Sequence, residues 1–155
     1  PREYRAESVR QRLRNLVRKR GEDAQFGLHR YATERFLYRL GVSIHRDRFV
    51  LKGAALFALW GGSLYRPTRD LDFTGYGSAE EEDVLAAMRD VCQQVSATDE
   101  LVFDPDTLSA EPIRDDSEYQ GLRIQLAATL GGSRILIQID IGFGNALVPP
   151  PQDAE

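Results

Sequence analysis

The chain has 155 residues, of which 42% are hydrophobic and 28% are charged, and its net charge is −4. This composition excludes a disordered chain, the length suits one domain with a substantial core, and no apolar run is long enough to span a membrane. The single cysteine, Cys92, excludes an intramolecular disulfide and a multi-cysteine metal site, so any metal should have oxygen ligands.

Charge is distributed unevenly along the chain. Residues 1–52 carry 14 Lys and Arg against 6 Asp and Glu, whereas residues 53–155 carry 6 against 18. The basic third is suited to attract a polyanion, or else it forms solvated helix faces docked on an acidic body. The first ten residues, PREYRAESVR, lack the apolar region of a signal peptide, so the expected location is the cytoplasm.

Two helices are predicted at the start of the chain, within residues 8–40. Apolar residues recur at helical spacing from Ser8 to Arg20, and Gly21 ends the first helix. Asp23 caps a second helix that stops at Gly41. The arginines of this second helix are expected at the rim of its apolar face; they are Arg30, Arg35 and Arg39.

The middle of the chain predicts two short strands around a glycine turn. Residues 49–51 form an apolar strand that leads into Lys52-Gly53, and a short buried helix follows over residues 56–60. A strand of about four residues is predicted at 70–73.

The remaining elements are a helix and a set of strands. Ser78 begins a capping-box-like sequence, and the helix runs to about Gln94. Residues 101–103 indicate a strand and 104–106 a turn, and the segments 119–130 and 134–143 predict a hairpin around Gly131-Gly132-Ser133.

These elements predict an α+β (mixed α/β) fold, with a four- to five-stranded mixed sheet and helices packed against it. Residues 1–148 should form this domain, and the proline-rich segment 149–155 should be a linker or exit segment.

Three aspartates are the strongest chemical signal. Asp70 and Asp72 stand at alternate strand positions and share a face, and Asp140 interrupts the apolar run 135–141, where an unpaired charge would be costly. If the two strands are neighbours, the carboxylates form a hard oxygen site for Mg²⁺ or Mn²⁺. The alternatives are a solvated strand end, a structural ion-pair cluster, or an Asp140 satisfied by backbone amides or an N-terminal arginine.

The turn at Gly53 is a candidate phosphate site, because backbone N–H groups at a helix N-terminus bind triphosphate oxygens. Further candidate donors are Lys52, Ser63, Arg66 and Arg69. The same residues also suit an ordinary connector, with Lys52 snorkelling from a strand end and an arginine neutralising the aspartates.

Five segments in order carry a resemblance to a known family: ERFLYRL, RFVLKGAALFALW, RPTRDLDF, EYQGLRIQLAATL and IQIDIGFGNALVPP. With them the chain resembles the AbiEii/AbiGii nucleotidyltransferase toxins of bacterial abortive-infection (phage defence) and toxin–antitoxin systems. These toxins belong to the DNA polymerase beta-like nucleotidyltransferase superfamily.

The resemblance implies a nucleotidyltransferase-like fold and a metal-dependent enzyme that transfers a nucleoside monophosphate from an NTP to an acceptor. Asp70, Asp72 and Asp140 match the family's metal-binding catalytic carboxylates, and Lys52 and Gly53 match its Lys-Gly turn. The acceptor end of tRNA is the implied substrate class, and a cognate antitoxin is the implied partner.

The resemblance also marks Thr68 as a candidate regulatory phosphosite, because Ser or Thr stands there beside the metal site. Asn145 occupies a position where many relatives have Asp. Relatives continue past the proline-rich segment into a helical part with a Lys and an Arg/Lys-Asp motif, so residues 1–155 correspond to the N-terminal catalytic part. Two alternatives remain: a binding module of this fold without turnover, and transfer to a protein or small-molecule acceptor.

Overall fold

The computed structural model describes residues 2–19, 24–52, 70–94, 99–113 and 120–143. Within these ranges the chain forms three helices and five strands. In chain order they are α1 (Arg2–Lys19), α2 (Ala24–Gly41), β1 (Phe49–Leu51), β2 (Asp70–Gly75), α3 (Glu81–Cys92), β3 (Val102–Pro112), β4 (Gln120–Leu130) and β5 (Ser133–Phe143).

The five strands form one mixed sheet in the order β1-β2-β5-β4-β3. Strands β2 and β5 are parallel, and the other three pairs are antiparallel. This architecture confirms the predicted α+β fold with a small mixed sheet, which is consistent with a nucleotidyltransferase-like fold. Strand β5 lies in the middle of the sheet, which explains its long apolar sequence.

The core lies on one face of the sheet. Alternate residues of β5 point into it and are at most 1% exposed; they are Ile135, Ile137, Ile139 and Ile141. The helices complete this core with their own buried side chains, which include Ala6, Phe36, Val84 and Met88. No described helix combines the length and apolarity needed to cross a membrane.

The opposite face of the sheet carries the other half of the alternating pattern. We call it the outer face; its members are Val50, Asp72, Thr74, Arg123, Gln125, Gln138 and Asp140. Each of these side chains is exposed or half-buried. The core face therefore holds the fold together, and the outer face is the side on which polar chemistry is available.

The predicted hairpin is confirmed, with β4 and β5 joined through Gly131 and Gly132. Gly131 has a φ of +59°, and a Cβ at this position would lie 2.5 Å from a carboxylate oxygen of Glu7. Glycine is therefore favoured here by the backbone conformation, and the α1 backbone also lies close, with Glu7 Cα 3.2 Å from this Cβ position.

A buried arginine–aspartate pair connects α2 to the segment before β3. Arg39 donates from Nη1 and Nη2 to the two carboxylate oxygens of Asp99 at 2.7 and 2.9 Å, and both side chains are at most 3% exposed. Arg35 and the Leu101 N–H add bonds of 2.8 and 3.0 Å. Burial alone would raise the pKa of Asp99, but these hydrogen bonds hold it below its usual value.

The predicted rim position of Arg39 is therefore wrong. Helical spacing places this residue at the edge of the apolar face, but Asp99 lies close enough to pair with it. Because the pair is satisfied inside the protein, the arginine can be buried.

Several boundaries also differ from the prediction. Helix α1 begins at Arg2 rather than Ser8, and α3 begins at Glu81 with Glu80 as its N-cap, so Ser78 is not the capping residue. The predicted turn at 104–106 lies within β3, where the register with β4 shifts between Asp104 and Ser109. There the Thr107 hydroxyl accepts a hydrogen bond from Ala127 N–H at 2.9 Å and closes the gap in the ladder.

Candidate active site

Two of the predicted carboxylates stand side by side on the outer face. The parallel pairing of β2 and β5 makes Asp72 the Cα partner of Asp140, and Asp70 the partner of Gln138. Neighbouring strands lie about 4.8 Å apart, and directly paired residues project to the same face. Strands β2 and β5 are neighbours, which brings two acids from distant parts of the sequence together.

Asp140 has an arginine partner that the sequence reading missed. Arg123 of β4 is paired with Asp140 in the antiparallel register. Its Nε donates to Oδ1 at 2.9 Å and its Nη2 to Oδ2 at 3.2 Å. The cost of placing a charge in an apolar strand is thus offset from the neighbouring strand, and not by an N-terminal arginine.

A sequence signal for this pair does exist. In a hairpin with two turn residues, Leu130 is the partner of Ser133, and counting back along both strands pairs Arg123 with Asp140. The predicted hairpin therefore implies the Arg123–Asp140 pair, provided that the register of β4 against β5 is known.

Lys52 lies beside the same two strands. Its backbone N–H donates to the Asp72 carbonyl oxygen at 2.9 Å. Its ammonium nitrogen would lie 3.5 Å from a Cβ placed on Gly142, two residues beyond Asp140 in β5. A primary amine thus lies beside the acid-bearing part of the sheet, and its role in phosphate binding stays a prediction.

The other predicted site residues lie outside the part of the chain that the structure describes. They are Gly53, Ser63, Arg66, Thr68 and Arg69, and the same holds for Asn145, the short helix at 56–60 and the segment 149–155. Asp70 is placed as the first residue of β2, but its side chain is not described. The roles of these residues stay predictions.

The described donors suit a hard divalent cation. Among the residues that the structure describes, no cluster of three or more His, Cys, Asp or Glu side chains is found. The outer face does supply two carboxylates in direct register, and carboxylate oxygens are the ligands that Mg²⁺ and Mn²⁺ prefer. This donor set fits such a cation, with Asp70 as the candidate third ligand.

Comparison with known proteins identifies a family. A family model described as "Nucleotidyl transferase AbiEii toxin, Type IV TA system" matches residues 35–155, which is more than three quarters of the chain and includes every candidate site residue. The family's description states nucleotidyltransferase activity and a toxin–antitoxin system, and therefore an antitoxin partner. No curated protein matches the chain.

Proposed function

Because the chain belongs to the AbiEii nucleotidyltransferase toxin family, we propose that it is a metal-dependent nucleotidyltransferase of the cytoplasm. In this proposal it transfers a nucleoside monophosphate from an NTP to the acceptor end of tRNA and is held in check by a cognate antitoxin. The observation that carries the proposal is the direct pairing of Asp72 with Asp140 on the outer face.

Asp72 and Asp140, with Asp70, would hold Mg²⁺ or Mn²⁺. When bound, such a cation supplies Lewis-acid stabilisation of phosphate charge and lowers the pKa of a coordinated hydroxyl. Lys52, whose ammonium nitrogen lies near Gly142 of β5, would neutralise phosphate oxygens. Gly53, Ser63, Arg66 and Arg69 are proposed to complete the triphosphate site.

The reaction is a displacement at the α-phosphorus. The acceptor hydroxyl oxygen forms a bond to this phosphorus, the bond to the pyrophosphate oxygen breaks, and the hydroxyl proton passes to solvent or to a carboxylate. The two products are the nucleotidylated acceptor and pyrophosphate. This chain contributes the carboxylates that orient the reacting groups and the amine that offsets the charge of the leaving group.

RNA as the acceptor is supported by the surface of α1. Three cations in the C-terminal half of this helix are exposed and form no salt bridge with an acid in the described parts of the chain; they are Arg12, Arg18 and Lys19. Closely spaced cations of this kind attract nucleic-acid phosphates.

Thr68 remains the proposed regulatory site. A phosphate group two residues before Asp70 would place negative charge beside the carboxylates and oppose both cation and NTP binding. Full activity of a stoichiometrically phosphorylated protein would refute this role.

The test measures transfer from each labelled NTP to total tRNA in Mg²⁺. Asp72→Asn and Asp140→Asn should each reduce transfer by at least about a hundredfold, because a lost cation ligand removes several kcal/mol of transition-state stabilisation. Asp106→Asn, an exposed acid on β3, is the matched control and should retain full transfer.

Other results would favour one of the alternative functions. Transfer that survives the Asp72 or Asp140 change would contradict the proposed mechanism. Metal-dependent NTP binding without transfer by the unaltered chain would favour a binding module of the same fold. Label that appears on protein or on a small molecule instead of RNA would keep the enzyme and change the acceptor.

A further inference from the structure

A row of three charged residues crosses the outer face. Arg123 in β4 is the partner of Asp140 in β5, and Asp140 is the partner of Asp72 in β2. Like charges directly opposite each other on neighbouring strands destabilise a sheet. A positive charge next to Asp140 reduces this repulsion when no cation is bound.

Arg123 provides this charge in a fixed orientation. Its two hydrogen bonds, of 2.9 and 3.2 Å, engage both carboxylate oxygens of Asp140. Such a fork-shaped contact fixes the plane of the carboxylate as well as offsetting its charge. Each carboxylate oxygen can accept a further ligand, so Asp140 can keep this arginine while it binds a cation.

The exposure of the pair limits what it can do for the fold. The side chain of Arg123 is 38% exposed and that of Asp140 is 19% exposed. An ion pair so accessible to water contributes little to stability. Its larger effect is on the electrostatic potential at the two acids, where a divalent cation would bind.

Resting on the proposed function, we propose that Arg123 is the resident counter-ion of Asp140 beside Asp72: it orients Asp140 and offsets its charge when no cation is bound, and it thereby weakens cation binding. Arg123 acts through Asp140 and is a positioning residue. As a consequence, the sheet folds without a metal ion, and a cation bound by the two acids exchanges readily.

The first experiment titrates Mn²⁺ into the full chain without nucleotide and follows free Mn²⁺ by electron paramagnetic resonance. Arg123→Met should bind Mn²⁺ about three- to tenfold more tightly, because a positive charge close to a divalent cation opposes its binding, with partial screening by water and salt. Arg123→Lys keeps the charge and should stay within about twofold of the unaltered chain.

Two further variants complete the titration. Arg134→Met removes an exposed arginine from the same face of β5 and is the matched control, with unchanged Mn²⁺ binding expected. Arg123→Gln also removes the charge, and it replaces the Met variant if that protein does not fold.

The second experiment measures thermal melting in a chelator. Arg123→Met should lower the melting temperature by at most about 2–4 °C, because Asp140 then lacks its counter-ion beside Asp72 but is still partly solvated. Adding Asp140→Asn to the same chain should restore most of the loss, since the like-charge pair no longer exists. A loss caused only by the missing packing of the Arg123 side chain would not be restored by Asp140→Asn.

Contrary results separate the inference from the proposed function. Unchanged or weaker Mn²⁺ binding by Arg123→Met, or equal tightening by Arg134→Met, would overturn the counter-ion role alone. Tightening by Arg123→Lys as large as by Arg123→Met would also overturn it, because charge would not be the cause. No Mn²⁺ binding by the unaltered chain would refute the metal site and this inference together.

Discussion

Two arginine–aspartate pairs of this chain share a fork-shaped geometry but have opposite surroundings. Arg39 and Asp99, between α2 and the start of β3, are at most 3% exposed. Arg123 and Asp140, on the outer face, are 38% and 19% exposed. The first pair has further hydrogen bonds to backbone groups around it, whereas the second adjoins another carboxylate, Asp72.

This difference teaches that pairing geometry alone does not reveal what an ion pair does. Inside the helical layer, breaking the pair would leave a buried charge without compensation, so the pair is needed for the fold. On the outer face, water can solvate either partner, so the pair is free to serve the chemistry of the acids beside it. Four experiments could break or sharpen this comparison.

The largest effect should come from the buried pair. Asp99→Ala should lower the free energy of unfolding by about 3–5 kcal/mol, because Arg39 would remain buried without its carboxylate. Asp140→Ala should cost no more than about 1 kcal/mol, because Arg123 can be solvated. Urea unfolding in a chelator measures both, and equal losses would contradict the distinction.

Divalent cations should change the stability of the protein through Asp72 and Asp140 on the outer face, and not through Asp99. Mg²⁺ at a hundredfold excess over its dissociation constant should raise the free energy of unfolding by about 2.7 kcal/mol, since it binds the folded state. Asp72→Asn and Asp140→Asn should lose this increment, and Asp99→Asn should keep it. A cation effect that depends on Asp99 would show that the two regions are not independent.

Acid should weaken the buried pair. The pKa of Asp99 is lower in the folded chain than its ordinary value of 3.8, so its contribution is present above pH 3.8 and is lost as pH falls through the folded pKa. The stability difference between the unaltered chain and Asp99→Asn should therefore shrink below pH 3.8. Urea unfolding at several pH values tests this, and a constant difference down to pH 2 would argue against it.

The smallest effect should be seen at Cys92, the sole cysteine of the chain. Burial raises the pKa of its thiol to about 12, and Arg39 is among the charges that act on it. Thiol labelling of the native protein should be slow, and Asp99→Asn should speed it by about tenfold because α2 opens locally more often. Arg123→Met should leave the labelling rate unchanged. Acceleration by both variants would show that the two arginine–aspartate pairs do not differ in their effect on the fold.

Much of the fold followed from local patterns. Alternating apolar residues around Gly131-Gly132 predicted the β4–β5 hairpin, and helical spacing predicted α1 and α2, with the start of α1 placed too late. Asp140 was recognised because a charge inside an apolar strand must have a partner. These inferences depend on neighbours in sequence, which is where strand alternation and helical periodicity operate.

The pairings between distant segments were not predicted. Arg39 lies 60 positions before Asp99 in the sequence, and nothing local indicates that the two meet. Arg123 was missed because a shift of one residue in the β4–β5 register would have sent its side chain to the other face. In both cases the partner depends on how elements pack and not on the pattern within an element.

By itself the sequence determined the α+β class, the two acidic strand positions Asp72 and Asp140, and the family resemblance carried by five ordered segments. Only the tertiary structure decided that these two acids are direct partners on parallel strands. It also decided that Arg39 is buried with Asp99, while Arg123 stands beside the candidate metal site. The physical reason is that burial determines whether a charged side chain needs a partner, and strand register determines which charged side chains are neighbours. Only the folded chain defines burial and register.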